Sequence, residues 1–394
     1  MNQESLRCLL CRNARCTAAC PVGTDVPTSM KLYREGRLEE AGKLLFDNNP
    51  MSAVTSVVCD WERFCYGHCI LNAKKEPVRW YEIEQEISGS YLLEKARIEI
   101  PETESGKSVA IVGAGPAGIC AAIWLREKGV AVDIYDAFEK MGGVLRYGIP
   151  AFRLDKKYVD AYEKLLKEAG VNFHGRAVLG KDISVNGLKE SHDAVLIAAG
   201  AWVPGTMRIP GEDNPHVLHA LDFLKDPEGF DLGEKVYVVG GGNVAMDACR
   251  TAKRLGCDTT VLYRKTFENM PASRIEVEEA RADGVAFRVF TTPVEIKEEE
   301  GKAYAIVRRC ENYFREDGSL ATRIIEGTDE RLDFDTLVIA VSEKADPSIL
   351  EGTLISPEKG IFSAGDYSYG PRTVVEAVRS AKETTAAISA WLGL

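Results

Sequence analysis

The chain has no surplus of positive charge. Its 49 Lys and Arg stand against 60 Asp and Glu, a net charge of −11, so no basic surface is on offer to nucleic acid or to an acidic membrane. A long apolar run is also missing. The longest uncharged stretch, Val109 to Leu125, is short of a membrane span and carries Gly113, Gly115, Pro116 and Gly118, which a strand, a glycine turn and a helix explain better. The opening MNQESLRCLL lacks a basic region followed by an apolar core, so no secretory signal is read there. No low-complexity segment is present. The eleven cysteines are odd in number, which argues against a disulfide framework and for the reducing cytoplasm, where thiolates bind metal.

What is present falls into three zones. The 394 residues suffice for two or three domains with cores of their own. Residues 1 to about 100 are cysteine-rich and helical in pattern. Asp25 to Asn48 has Met30, Leu32, Leu38, Ala41, Leu44 and Leu45 on one side, and Glu82 to Ala96 reads as another helix. A polar linker, Ile98 to Lys107, follows. From there strand-like runs alternate with helices: Val109–Val112, Val132–Tyr135, Ala194–Ala198, Lys235–Val239, Thr259–Tyr263, Ala286–Phe290 and Thr336–Val341. That alternation predicts an α/β fold with parallel sheets. Glycine-rich strand ends occur at 113 and again at 240, so two Rossmann-like nucleotide-binding domains are expected behind an N-terminal α-helical domain.

Seven cysteines lie in the first 69 residues, as Cys8-x2-Cys11-x4-Cys16-x3-Cys20-Pro21 and Cys59-x5-Cys65-x3-Cys69. Thiolates at short spacing suit iron–sulfur clusters or zinc. Zinc favours repeated Cys-x2-Cys pairs, of which there is one here, and the Cys-Pro ending matches the ferredoxin run. Seven thiols are one short of two four-cysteine clusters. The nearest downstream candidates for an eighth ligand are Glu84 and Gln85, with Glu84 the leading one. Cys120, Cys249, Cys257 and Cys310 stand alone and read as small buried hydrophobes.

The first nucleotide motif is Gly113-Ala-Gly115-Pro116-Ala117-Gly118 at the end of a strand. Its glycines serve a tight turn, a close approach to pyrophosphate and helix–strand packing, and the helix N-terminus favours the anion. Asp136, about twenty residues on, ends the next strand and is placed for ribose hydroxyls. Gly143 follows. Near the C-terminus Gly365-Asp366 ends another strand, and Thr373 opens a helix whose N-terminus can stabilise charge on a reduced flavin. The two ends of the chain must therefore meet to build one FAD site.

The second motif is Gly240-Gly-Gly242-Asn243-Val244-Ala245-Met-Asp247. Its following strand ends in Arg264-Lys265 in place of an acid. Two cations suit a 2′-phosphate, so NADPH is expected, with NADH as the alternative.

These residues together are similar to the family of the glutamate synthase small subunit and the N-terminal half of dihydropyrimidine dehydrogenase. Besides the cysteine pattern and both glycine turns, the likeness rests on Gly143-Val-Leu-Arg-Tyr-Gly-Ile-Pro-Ala-Phe-Arg153-Leu154 and Asn269-Met-Pro-Ala-Ser-Arg274, and covers nearly the whole chain. The compact size and Arg7-Cys-Leu-Leu-Cys11 look most like the bacterial NAD(P)H-oxidising subunit of a two-subunit dihydropyrimidine dehydrogenase. The resemblance implies FAD, two 4Fe–4S clusters and roles for Arg153 and Arg274 at the cofactors. It implies that Cys8, Cys11 and Cys16 share one cluster with Cys69, and that Cys20, Cys59 and Cys65 hold the other, completed by Glu84 or Gln85. It also implies that loss of the clusters unfolds the N-terminal domain. Asp60, Thr55, Ser342 and Ala381 depart from the family pattern, the last two where glycine is usual.

The expected activity is hydride uptake from NAD(P)H by FAD and one-electron delivery to the clusters. No acid–base group is needed, and no catalytic residue is named. The expected domains are 1–100 (two clusters), 107–228 and 338–394 (FAD), and 229–337 (NAD(P)H, inserted in the FAD domain). No segment remains for a substrate barrel. A partner subunit is therefore expected, an FMN-containing barrel first and a glutamate synthase large subunit second. A stand-alone NAD(P)H:acceptor reductase and a zinc-stabilised nucleotide sensor are the readings from other classes. No Cys-x2-Cys lies near the flavin motifs, which counts against a disulfide reductase.

Overall fold

The computed structural model describes residues 3–394, which form two compact units. The first comprises the chain up to Arg146, Ala151–Ala201 and Ala345–Leu394; the second comprises Tyr147–Pro150 and Trp202–Lys344.

The first unit opens with short helices. The amphipathic pattern expected to run from Asp25 to Asn48 is two helices, Val26–Arg34 and Leu38–Asn48. Asp25 starts the first by accepting the Thr28 N–H. Gly36, at φ +73°, breaks the run before Leu38, a conformation that costs glycine little. Helices Ser52–Val58 and Trp80–Glu94 follow. Val26, Met30, Tyr33, Ala41, Leu45, Trp80, Ile83 and Ile87 close around one apolar core, and Cys8, Cys16, Cys65 and Cys69 pack at its edge.

Next comes a five-stranded parallel sheet. Its order is Ile361–Ser363, Ala194–Ile197, Ser108–Val112, Ala131–Asp136, Asn172–Gly175. Ala194–Ile197 is buried throughout and Ser108–Val112 nearly so, as expected for a sheet covered on both faces. The last strand in sequence thus forms one edge of the sheet, beside Ala194–Ile197, and the C-terminal helix Val374–Leu392 packs on helix Pro116–Arg126. The cysteine-rich segment does not stand apart from this sheet. Tyr162 Oη donates to Pro50 O (2.6 Å) and Lys382 Nζ to Asn48 Oδ1 (2.7 Å), so both belong to one unit.

The second unit holds another parallel sheet, in the order Val217–His219, Thr336–Ile339, Lys235–Val239, Asp258–Tyr263, Ala286–Val289. The unit begins at Trp202, whereas the sequence placed the break near 228. The difference has a physical cause: Val217–His219 pairs with Thr336–Ile339, and helix Ala220–Lys225 packs on helix Asn243–Arg254. The unit ends at Lys344, beyond the break expected near 337. An antiparallel sheet that the strand pattern did not foretell is also here. Thr291–Glu299 pairs with Lys302–Phe314, which pairs in turn with Leu320–Ile324 and Glu330–Asp333. Among the described residues no helix is long and apolar enough to cross a membrane.

Ser342, where a glycine is usual, lies at φ +122°, which strains any side chain with a Cβ. Its carbonyl nevertheless accepts the Gly205 N–H at 2.7 Å. Ser342→Gly is predicted to relieve that strain and raise stability by about 1 kcal/mol after glycine's own entropy cost. A thermal melt should rise; a lower Tm would show that the serine carries no strain.

Candidate functional sites

The seven N-terminal cysteines line two cavities in the first unit. Cys8, Cys11, Cys16 and Cys69 face one of them, and Cys65 reaches its wall. Cys20, Cys59, Cys65 and Glu84 face the other. The two share Val26, Cys65 and Trp80. Among the described residues no three His, Cys, Asp or Glu side chains converge on a single ion position; the thiols stand around spaces instead, as ligands of a multi-atom cluster would.

The electrostatics of the second cavity test the fit. Glu84 is buried, and its Oε1 accepts from Ser52 Oγ at 2.8 Å. Burial pushes its carboxyl up to about 7. Burial also raises the Cys59 and Cys65 thiols, and the Glu84 charge raises them further. Cys59, Cys65 and Glu84, buried around one space, ionise together only if positive charge sits among them. A cluster's iron ions would supply it. Gln85, the alternative eighth ligand, is exposed and lines neither cavity.

The glycine turn after Ser108–Val112 is built as its sequence requires. Gly113 sits at φ +109°, and a Cβ there would collide with the Ala198 carbonyl. Gly143 closes on Gly115 so tightly that a Cβ on Gly143 would lie 2.7 Å from the Gly115 Cα. Asp136 is buried, and both its oxygens are in use: Oδ2 accepts the Ala114 N–H (2.6 Å) and Oδ1 the Phe138 N–H (2.7 Å). It therefore braces the turn through both carboxylate oxygens. Pro116 and Ala117 begin the helix, and a Cβ on Gly365 would lie 3.0 Å from that of Ala117. The two ends of the chain do meet here. Asp366 Oδ1 accepts the Arg372 N–H. Thr373 caps the C-terminal helix in a reciprocal box with Glu376. Arg153 is half-buried, in a turn before helix Lys156–Glu168.

The second unit repeats the design. Gly240, at φ +152°, faces the Ala340 carbonyl, and Gly242 precedes helix Asn243–Arg254. Ala245 and Asp247 are buried in that helix, while Asn243 and Val244 are half-buried. Arg264 is exposed and Lys265 half-buried; neither makes an ion pair among the described residues. The Asn269–Arg274 segment is drawn to the turn: Ala272 N–H donates to Gly241 O (3.0 Å), and Tyr263 Oη to Asn269 O (2.6 Å). Arg274 opens helix Arg274–Ala282 and pairs with Glu278 at 3.6 Å.

One connection was not foreseen from the sequence. Glu376 faces Arg63 (3.6 Å) and Arg372 (3.8 Å), and Val375 lies on the wall of the Cys20–Cys59–Cys65 cavity. The helix next to the flavin turn thus borders a cluster cavity. No local pattern in a single sequence links positions this far apart.

Residues 107–381 match the family described as pyridine nucleotide-disulphide oxidoreductase. The chain belongs to that family. Residues 1–95 match dihydropyrimidine dehydrogenase domain II, 4Fe-4S cluster. The glutamate synthase (NADPH) small chain of Azospirillum brasilense is 32% identical, over 99% of this chain and 89% of that one. The NAD-dependent dihydropyrimidine dehydrogenase subunit PreT of Salmonella typhimurium is also 32% identical, over 99% of this chain and 94% of that one. Among solved structures, Mycobacterium tuberculosis FprA in complex with NADPH superposes with a TM-score of 0.63 at 22% identity, over 73% of this chain and 84% of that one, which speaks for the fold alone. The fold is the expected one: α/β, with a helical iron–sulfur segment ahead of two Rossmann-like sheets. The protein is an NAD(P)H-dependent FAD oxidoreductase with 4Fe–4S centres.

If Glu84 completes the second cluster, Glu84→Ala should lose that cluster or shift its reduction potential, read by EPR-monitored titration. Gln85→Ala should leave both clusters unchanged. Unaltered potentials in Glu84→Ala would remove Glu84 from the ligand set.

Proposed function

We propose that this chain is the electron-input subunit of a heteromeric cytoplasmic oxidoreductase, taking hydride from NADPH and delivering electrons through two 4Fe–4S clusters to a partner. The supporting observation is the pair of thiol-lined cavities that share a wall at Cys65, with Val375 of the flavin-side helix bordering the second. Cys8, Cys11, Cys16 and Cys69 would hold one cluster; Cys20, Cys59, Cys65 and Glu84 would hold the other. Bound FAD supplies the exchange of a hydride for single electrons.

The chain's own residues then position and insulate. Gly113, Gly115, Pro116, Ala117 and Gly118 would cradle the FAD pyrophosphate, and Gly143 covers Gly115. Asp136 braces that turn and would hold a ribose. Gly365, Asp366 and the N-terminus opened by Thr373 would face the ribitol and the isoalloxazine, with Arg153 nearby. In the second unit Gly240 and Gly242 in the turn, with Asn243, Val244, Ala245 and Asp247 at the start of the helix after it, would receive the nicotinamide dinucleotide. Arg264 and Lys265 would take the 2′-phosphate, and Arg274 would flank it. The free cysteines among the described residues accord with a reducing compartment.

The partner we favour is an FMN-containing barrel of the dihydropyrimidine dehydrogenase type, because this chain matches the Salmonella subunit over nearly the full length of both. A glutamate synthase large subunit is the second reading, favoured by the Azospirillum small chain. Anaerobic affinity purification from the native cell should recover a stoichiometric FMN-bearing subunit. Recovery of the chain alone, brown and reducing small acceptors with NADPH, would point instead to a stand-alone reductase. A double substitution, Arg264→Ala with Lys265→Ala, should raise KM for NADPH about tenfold, equivalent to about 1.4 kcal/mol, and leave NADH unchanged. Equal effects on both nucleotides would remove the phosphate-binding role.

A further inference from the structure

The cavity of Cys8, Cys11, Cys16 and Cys69 has an unusual rim. Leu9 and Ile70 line it and are 63% and 45% exposed, and Leu6, in the short helix Gln3–Arg7 just before the cysteine loop, is 64% exposed. Large apolar side chains left this open in one place mark an interaction surface more often than they serve folding. Arg15 lines the same cavity, Arg12 follows its Cys11, and the Lys74 and Lys75 N–H groups donate to the carbonyl of Leu71, another lining residue; all four cations are exposed, and none is ion-paired among the described residues.

Those cations contrast with their neighbours. Arg7 and Arg79 pair with the buried Glu4, at 2.6 and 3.6 Å. Arg34 donates to the Cys8 carbonyl at 2.6 Å. These arginines hold the cysteine loop in place, whereas Arg12, Arg15, Lys74 and Lys75 hold nothing. The only acids in the same two segments, 3–16 and 66–76, are Glu4, already engaged, and Glu76. On a chain of net charge −11, exposed apolar side chains beside four unpaired cations at one cavity are a local reversal of sign. An apolar core with a charged rim is the usual anatomy of a specific docking site, and the rim selects a partner of opposite charge.

We propose that Leu6, Leu9 and Ile70, with Arg12, Arg15, Lys74 and Lys75, form the docking face for an acidic protein that carries its own one-electron centre. The proposal rests on the electron-input reading and adds to it where electrons leave and what charge the acceptor bears. Oxidation of one NADPH to NADP⁺ releases a proton and two electrons, so two such centres are each reduced by one electron.

The test uses the flavin- and cluster-loaded protein and, as probe, an oxidised acidic plant-type 2Fe–2S ferredoxin. Binding is measured by biosensor without any turnover. The wild type should bind the ferredoxin and lose about tenfold in affinity between low and physiological ionic strength, since rim charges are screened. Basic cytochrome c should not bind. The triple variant Arg12→Glu, Lys74→Glu, Lys75→Glu should lose the ferredoxin by at least the same factor at low salt, while NADPH still bleaches its clusters at the wild-type rate. Leu6→Ser should weaken binding at both salt concentrations. Ferredoxin binding that is absent in the wild type, insensitive to salt or unchanged in the triple variant would overturn the proposal. Ferredoxin binding intact but no bleaching of the wild-type clusters by NADPH would instead overturn the electron-input reading.

Discussion

Cys20, Cys59, Cys65 and Glu84 face one largely apolar space, and burial there works against negative charge on Cys59, Cys65 and Glu84. Burial holds the Glu84 carboxyl up at about 7 and drives the Cys59 and Cys65 thiols higher still. A positively charged cluster core is what makes such a set compatible with a folded domain. The rest of the first unit follows from it. Cys20 comes from the first cysteine group, Cys59 and Cys65 from the second, and Glu84 from the helix beyond, so one site ties three segments together. The other cavity does the same in reverse, bringing Cys69 back to Cys8, Cys11 and Cys16.

That tie also sets the relation between the clusters and the flavin site. Val375 borders the second cavity, Glu376 reaches Arg63, and Lys382 reaches Asn48, all from the one C-terminal helix. The same helix packs on Pro116–Arg126, whose first turn is the pyrophosphate-binding candidate. One helix thus borders the second thiol-lined cavity and packs on the helix that follows the first glycine turn.

Much of this was legible in the sequence because it rests on local chemistry. Glycines at turn spacing after an apolar strand answer a backbone demand that no other residue type meets, and Gly113 and Gly240 do adopt the angles that exclude a side chain. Cysteine spacing pointed to clusters for the same reason. What escaped was non-local or masked. The strand Lys302–Phe314 alternates buried and open positions, with Ala303, Ala305 and Val307 inward, but Tyr304 and Ile306 stand at the open positions between them and the inward residues are small, so the alternation is blurred in the sequence. The start of the second unit at Trp202 depends on Val217–His219 pairing with a strand more than a hundred residues on, which no window of sequence reveals. That Glu84 faces a thiol-lined cavity while Gln85 is exposed depends on which side of one helix is buried, a matter of packing that adjacent positions do not disclose by spacing.

If the N-terminal thiols and Glu84 hold two 4Fe–4S clusters in the two adjoining cavities, Mössbauer spectroscopy of anaerobically purified, ⁵⁷Fe-enriched protein, with iron, sulfide and FAD quantified together, should show it. Two 4Fe–4S clusters per FAD are expected, one of them with an iron site distinguishable from the all-thiolate pattern. A single cluster, or zinc in place of iron, would contradict that assignment.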